Sequence, residues 1–265
     1  MIDMHSHILY DIDDGSRSKE MSLEMLKMAA SCGTDNILAT PHVNRRGVVP
    51  DWDVITEKVK ALQADADEAG IPITIHTGAE VEINYEALNF LPEDGRNYCL
   101  AGTRYILCEL TNQSEPRQTE ELLFELRMRG YRPILAHPER YDRIMEHPDT
   151  IARWLEKGIL TQCNGGSFVG YFGDTVQKRV EWLAERNLIC FLGSDAHRTE
   201  LRNPDLTEVH NKLMEKPYGE DLWSLCEENG RKLLAKKAIY APKKADEYVE
   251  QKRQPKGFWQ KLFGK

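Results

Sequence analysis

Five histidines and four carboxylates are spaced along this 265-residue chain in a way that suits metal coordination. His5 and His7 form an HxH pair, Asp14 follows in Asp13-Asp14-Gly15, and His42 closes Thr40-Pro41-His42. Glu80 ends Gly78-Ala79-Glu80, Glu109 follows an apolar run, and His137 opens His137-Pro138-Glu139-Arg140. Asp195 and His197 lie in Gly193-Ser194-Asp195-Ala196-His197. Imidazole nitrogens and carboxylate oxygens without a thiolate suit manganese, iron or zinc, and spacing alone does not choose among them. Nine candidates exceed what one tetrahedral zinc needs and suit two or three ions sharing a bridging carboxylate. The four carboxylates would leave three divalent ions with a surplus of about +2, attractive to hydroxide and to an anionic substrate.

Each fragment alone has a plainer reading. A lone HxH is more often a pair of ordinary strand histidines, and Asp-Asp-Gly is more often a turn than a ligand. It is no calcium hand, because positions 1 and 3 of such a loop would be Tyr10 and Ile12. Glu80 and Glu109 could be solvated strand ends. The weight comes from where the fragments fall. Short apolar, β-branched runs predict strands over 2–7, 36–40, 73–78, 105–110, 133–137, 159–164 and 188–193. Helical periodicity predicts helices over 19–31, 54–68, 115–129, 150–157 and 175–186, several stopping at a glycine (Gly33, Gly70, Gly130, Gly158). Beyond Asp195 the pattern turns largely helical through Ala238. Strands alternating with helices imply a parallel sheet, and seven or eight such units can close into a barrel. In a parallel barrel all C-terminal strand ends face one mouth, so six strand ends carrying these residues would converge there. His5 and His7, two apart on a strand, share a face. His76, His147 and His210 lack such placement and read as structural or exposed.

The set HxH…DDG…TPH…GxE…E…HPER…GSDAH resembles the polymerase and histidinol phosphatase (PHP) superfamily of metallophosphoesterases over roughly residues 1–240. Met1 through Leu9, Asp13 through Ser16 and Ala136 through Tyr141 look most like the manganese-dependent protein-tyrosine phosphatases of Gram-positive bacteria. Those enzymes act on the tyrosine kinases controlling capsular and exopolysaccharide synthesis. The resemblance implies an α/β fold, a distorted (β/α)7 TIM-like barrel with C-terminal helices, and a trinuclear centre at its mouth. It implies that His5, His7, Glu80 and Asp195 hold one ion. Glu80, Glu109 and His137 would hold a second with Glu80 bridging, and Asp14, His42 and His197 a third. Arg140 matches a family arginine implicated in binding phosphate and protonating the leaving group. Arg202 is a candidate second phosphate clamp, with Arg198 as its rival and a solvated helix-face arginine as the plain alternative to both. A metal-bound hydroxide would attack phosphorus in line, with no phosphoenzyme. Where the family has Glu-Leu-Pro, this chain has Glu109-Leu110-Thr111, a change in loop shape rather than in ligands. A small-molecule phosphatase such as histidinol phosphatase is the nearest alternative, and a non-catalytic PHP-like binding module a more distant one.

Composition limits the other possibilities. A formal charge of −8 argues against non-specific nucleic-acid binding. No apolar run approaches a membrane span, and no basic-then-apolar segment opens the chain as a cleaved signal would, so a cytoplasmic enzyme is expected. Six cysteines without a CxxC pair fit reduced thiols, and none has an arginine six positions on, which excludes cysteine-phosphatase chemistry. Residues 1–242 are expected to form the catalytic barrel and 243–265 a separate tail. That tail carries seven basic and three acidic residues, interleaved near its end with Phe258, Trp259, Leu262 and Phe263. It suits either a solvated end or weak docking at an anionic membrane face or on a membrane-bound kinase.

Overall fold

Among the described residues, nine short parallel strands account for all the predicted strand runs. They are β1 (Ile2–Ser6), β2 (Asn36–Ala39), β3 (His42–Val43), β4 (Thr74–Thr77), β5 (Glu80–Glu82), β6 (Tyr105–Glu109), β7 (Arg132–Ala136), β8 (Leu160–Asn164) and β9 (Phe191–Gly193). The computed structural model describes residues 1–242 of the chain, so the predicted tail over 243–265 lies outside the described residues. The strands pair as β1-β2-β4 and as β3-β5-β6-β7-β8-β9, every pair parallel.

Two predicted strands, over 36–40 and 73–78, are each followed after a short break by a further strand that was not predicted. Thr40-Pro41 separates β2 from β3, and Gly78-Ala79 separates β4 from β5. Pro41 has no N–H to give to a ladder, which favours a break there. Gly78 lies so close to its neighbours that a Cβ would stand 2.7 Å from the Leu100 side chain. With each broken pair counted as one pass, the strands make seven passes around a ring. The seam between β9 and β1 has no full ladder. It is closed by a bridge between Ser6 and Ala196 and by bonds from Asp195 N to His5 O and from His7 N to Ala196 O, each 2.8 Å. The result is the distorted (β/α)7 barrel that the resemblance implied.

Helices cover the outside. Lys19–Ser31, Trp52–Glu68, Pro116–Met128, Asp149–Glu156 and Asp174–Glu185 follow successive strands, as predicted within a residue or two. The first shows the logic. Ser18 caps it by accepting from Met21 N, Ser22, Met25, Leu26 and Ala29 face inward at helical spacing, and Gly33 stops it at φ 89°. Thr207–Met214 and Gly219–Leu234 then pack over the seam, with Gly230 against Ile2 and Asn229 bonded to the Cys190 carbonyl. Trp154, Phe168 and Phe191 are among the largest wholly buried side chains. Each such burial stabilises the fold by roughly 1.5–3 kcal/mol. No helix among the described residues is long and apolar enough to cross a membrane.

The barrel interior is polar on one side by design of the alternation. Ile2 and Met4 of β1 point outward, so Asp3, His5 and then His7 point in. Asp3, wholly buried, accepts from Ser194 N (2.8 Å) and Ser194 Oγ (2.6 Å), tying β1 to the end of β9. On β8 the inward residues are Gln162 and Asn164, which reach the same layer.

Candidate metal centre

All nine predicted ligands stand at this mouth, and eight are buried or nearly so; Asp14 is 57 % exposed. Glu80 is the hub. Its carboxylate oxygens lie 2.7 Å from His137 Nε2, 3.0 Å from His42 Nδ1, 3.2 Å from His5 Nε2 and 3.4 Å from His7 Nε2. Three sets of ligand atoms come close enough to share an ion: His5, His7 and Glu80; His7, Asp14, His42 and His197; and His42, Glu80 and Glu109. Asp195 Oδ1 stands 3.4–3.6 Å from His7 and His5, beside the first set.

Two of the three groupings implied by the resemblance are thus brought together. The grouping of Glu80, Glu109 and His137 is met in pieces. His137 approaches Glu80 Oε1, whereas Glu109 Oε2 stands 3.1 Å from His42 Nδ1.

Three histidines are turned so that one nitrogen is spoken for outside the cluster. His7 Nδ1 is 2.7 Å from Asp13 Oδ2, His5 Nδ1 is 2.9 Å from Gln162 Oε1, and His197 Nδ1 is 2.9 Å from the Asp195 carbonyl. An ionised carboxylate and a carbonyl oxygen only accept, so Nδ1 carries a proton in each, and it is Nε2 that a neutral ring would offer inward as a lone pair. Buried polar atoms with no hydrogen-bond partner include His42 Nδ1, Glu80 Oε2, Glu109 Oε2, His137 Nδ1 and His197 Nε2. Orphaned buried acceptors are costly unless something fills the gap. A mixed N/O donor set with converging lone pairs fits divalent cations.

The charges tell the same story. Glu80 is wholly buried, which opposes ionisation, yet His5, His42 and His137 hold its carboxyl well below the usual range. Asp195 is likewise held low, against burial, by His5, His7 and Arg202. Burial and the neighbouring His7 work against charge on His42, but Glu80 and Glu109 outweigh them and raise it to about 9. Burial and His7 together push His197 down to about 4. The low-held carboxyls of Glu80 and Asp195 thus depend on positive charge placed among them, a role that a divalent cation can take over.

Backbone strain accompanies the site. His137 has φ 32° and Asp195 φ 52°, left-handed values uncommon among non-glycine residues, though His and Asp tolerate them better than most, and such values cluster at functional sites. Both occur where a strand ends and must turn its last side chain into the mouth.

Arg140 Nη1 and Arg202 Nη2 both reach Asp195 Oδ2, at 3.0 and 2.6 Å. Arg198 turns away to the carbonyls of Asp14, Gly15 and His197. Of the two arginines, Arg202 is the one that contacts a candidate ligand side chain, Asp195. His76 bonds Asn36, His210 packs on Trp223, and neither joins the cluster.

Asp13, Gln162, Asn164 and Arg45 were not foreseen. Asp13 accepts from His7, from His42 N (2.9 Å) and from Gly15 N (2.8 Å). Asn164 Nδ2 donates to Asp195 Oδ2 at 2.7 Å, and Arg45 contacts Asp14 and His42. The signal for Asp13 was present: a ligating histidine needs an outer acceptor, so two adjacent aspartates near HxH can divide the two tasks. All six cysteines are free. Burial pushes Cys99 up to about 12 and Cys190 to about 11, so neither is a nucleophile at neutral pH.

Fold and site together define a parallel α/β barrel of the metal-dependent hydrolase kind, with candidate metal-binding groups of histidines and carboxylates at its mouth. The chain belongs to the CpsB/CapC family of capsular polysaccharide synthesis, whose model matches residues 1–235. It is 35% identical over 240 residues to tyrosine-protein phosphatase YwqE of Bacillus subtilis, covering 91% of this chain and 94% of that one. It is 30% identical to tyrosine-protein phosphatase CpsB of Streptococcus pneumoniae over 244 residues, 90% of this chain and all of that one. Among solved structures it superposes with a TM-score of 0.84 and 34% identity on a chain from the crystal structures of YwqE and CpsB, described as unique metal-dependent tyrosine phosphatases. That match covers 91% of this chain and 97% of the other. A histidinol phosphate phosphatase of Lactococcus lactis shares the fold at 13% identity, with a TM-score of 0.52 over 86% of this chain and 93% of that one.

Proposed function

We propose that this chain is a metal-dependent protein-tyrosine phosphatase whose substrate is phosphotyrosine on a membrane-associated bacterial tyrosine kinase controlling capsular or exopolysaccharide synthesis. The observation that carries the reading is the Glu80 hub: a buried carboxylate among four imidazoles, with two arginines at its rim, in a chain of this family. His5, His7, Glu80 and Asp195 would hold one divalent ion, Glu80, Glu109 and His137 a second, and Asp14, His42 and His197 a third, with manganese the first choice and iron or zinc the others. When bound, such ions activate a water at neutral pH and neutralise charge on phosphoryl oxygens.

The protein's own groups do the rest. Arg140 and Arg202 bind the phosphoryl oxygens from one side, where their donors suit a tetrahedral anion. Arg140 would also hydrogen-bond the phenolic oxygen as that group leaves. Asp13, Gln162 and the Asp195 carbonyl keep their histidines in the tautomer that offers Nε2 inward. Residues 1–242 would suffice for this chemistry. The tail over 243–265 would serve location at the inner face of the membrane.

Turnover of a phosphotyrosine peptide and of histidinol phosphate, each with manganese, tests the reading. Faster turnover of the peptide is expected. A preference for histidinol phosphate would overturn the protein-phosphatase assignment, and hydrolysis of neither would overturn the enzyme.

A further inference from the structure

Phe172 is a half-buried residue in the turn between β8 and the helix Asp174–Glu185. Its ring centroid lies 4.8 Å from the guanidinium carbon of Arg140 and 5.6 Å from that of Arg202. Arg140 comes from the turn after β7 and Arg202 from the loop after β9, so no local backbone ties the two together. Both are cations meeting the same carboxylate oxygen, and they repel each other. The π face of Phe172 is a contact they share, and a ring face attracts a guanidinium.

The turn that carries Phe172 is itself well fixed. Gly170 and Gly173, at φ 82° and 86°, bracket Tyr171 and Phe172 in a conformation other residues rarely adopt. Tyr171 N bonds the Gly166 carbonyl, Gly173 N bonds the Gly170 carbonyl, both at 3.0 Å, and Gln177 Nε2 holds the Phe168 carbonyl at 2.8 Å. Phe172 also lines a cavity of about 380 Å³ beside Glu109 and Arg140, with Val176, Leu110 and Tyr141 as its other apolar surfaces. A phenyl ring fits this space, and stacking on an aromatic wall favours it over an alkyl group.

We propose that Phe172 is a positioning and specificity residue, whose ring braces Arg140 and Arg202 side by side and walls the cavity that takes the aromatic ring of an aryl phosphate ester. The proposal rests on the phosphatase reading above and deepens it, by assigning the side chain that separates aryl from alkyl esters.

The test uses the full chain loaded with manganese, and the variants Phe172→Ala, Phe172→Leu and Phe172→Trp. Equilibrium binding of phenylphosphonate and of methylphosphonate is measured by calorimetry, alongside kcat and KM for phenyl phosphate. Phe172→Ala is expected to weaken phenylphosphonate about tenfold and methylphosphonate only about threefold, as loss of stacking plus loss of the brace would. Phe172→Leu should fall between, with KM raised more than kcat is lowered, and Phe172→Trp should restore both affinities. An unchanged phenyl-to-methyl ratio in a folded Phe172→Ala protein overturns the proposal. So does a Phe172→Trp protein no better than Phe172→Leu, a comparison that decides the matter if the alanine variant fails to fold. A wild-type protein that binds both phosphonates but hydrolyses no ester overturns the phosphatase reading, while its binding ratios still decide the role of Phe172.

Discussion

Replacing Asp13 by Asn removes one charge from a residue that touches no substrate, and the structure says how much should be lost. Asp13 Oδ2 takes both the His7 Nδ1 proton and the His42 backbone N–H, and Oδ1 takes the Gly15 N–H. An amide offers one acceptor oxygen in place of two. With its NH2 toward His7, it forces the histidine to move its proton to Nε2, the nitrogen that faces Glu80 and Asp195. With its NH2 toward Gly15, it meets another donor in a turn where a Cβ on Gly15 would stand 2.3 Å from the His7 carbonyl, so nothing can step aside. Either way a donor opposes a donor. Losing an outer partner of a ligating histidine lowers metal affinity by roughly 10–100-fold. There is a stability effect as well. Burial opposes the Asp13 charge, but His7 and the two backbone N–H groups hold its pKa to about 2. A depressed carboxylate stabilises the fold above its unfolded pKa and loses that contribution as pH falls through the folded value. The wild type therefore has about 2 kcal/mol at neutral pH that fades below about pH 4, and Asp13→Asn lacks it. Calorimetric titration with manganese, with thermal melts at pH 7 and pH 3, measures both. Wild-type manganese affinity together with a wild-type melting temperature in Asp13→Asn would refute the reasoning.

Other perturbations have equally definite outcomes. Arg140→Ala should lower kcat/KM on a phosphotyrosine peptide by about 10²-fold or more, as loss of a preorganised donor does, while bound-metal content stays at the wild-type level by elemental analysis. In the metal-free protein, His197, held down to about 4, favours folding more as pH rises from 4 toward 6.5, whereas His42, held up to about 9, loses its contribution as pH rises from 6.5 through 9. Melting temperature after chelation should therefore peak near about pH 6.5, and a steady rise to pH 9 would contradict it. Iodoacetamide at pH 7.5 should leave phosphatase activity intact, because five of the six thiols are buried and Cys32 lies outside the site; rapid inactivation would put a cysteine in the chemistry.

Much of this was legible in the residues, for identifiable reasons. The helix over 19–31 was readable to the residue because Ser18 and Gly33 mark its ends chemically. The convergence of the nine candidate ligands followed from one rule, that parallel strands end at one mouth. The breaks at Thr40-Pro41 and Gly78-Ala79 were not legible, because they depend on pairing: β3 and β5 stay neighbours as β2 and β4 are, but only β5 goes on to pair with β6. Periodicity along one segment carries no information about its neighbours. Likewise Asp13 and Asp14 are chemically alike and adjacent, and only the direction of the chain decides that one bonds His7 from outside while the other faces His42 and His197. The pairing of Glu109 with His42 rather than His137 is of the same kind. Types and spacing name the participants, and three-dimensional contacts assign the partners.

The central claim is that the cluster around Glu80 holds several divalent ions on which hydrolysis depends. Its most direct test is the number of ions bound per chain after manganese loading, measured by elemental analysis on wild type and Glu80→Gln, with phosphotyrosine hydrolysis assayed on the same samples. The account predicts about three ions and full activity in the wild type, and fewer ions with activity lost in a folded Glu80→Gln protein. A chelated, metal-free protein that still hydrolyses phosphotyrosine, or a Glu80→Gln variant with full metal and full activity, would contradict it.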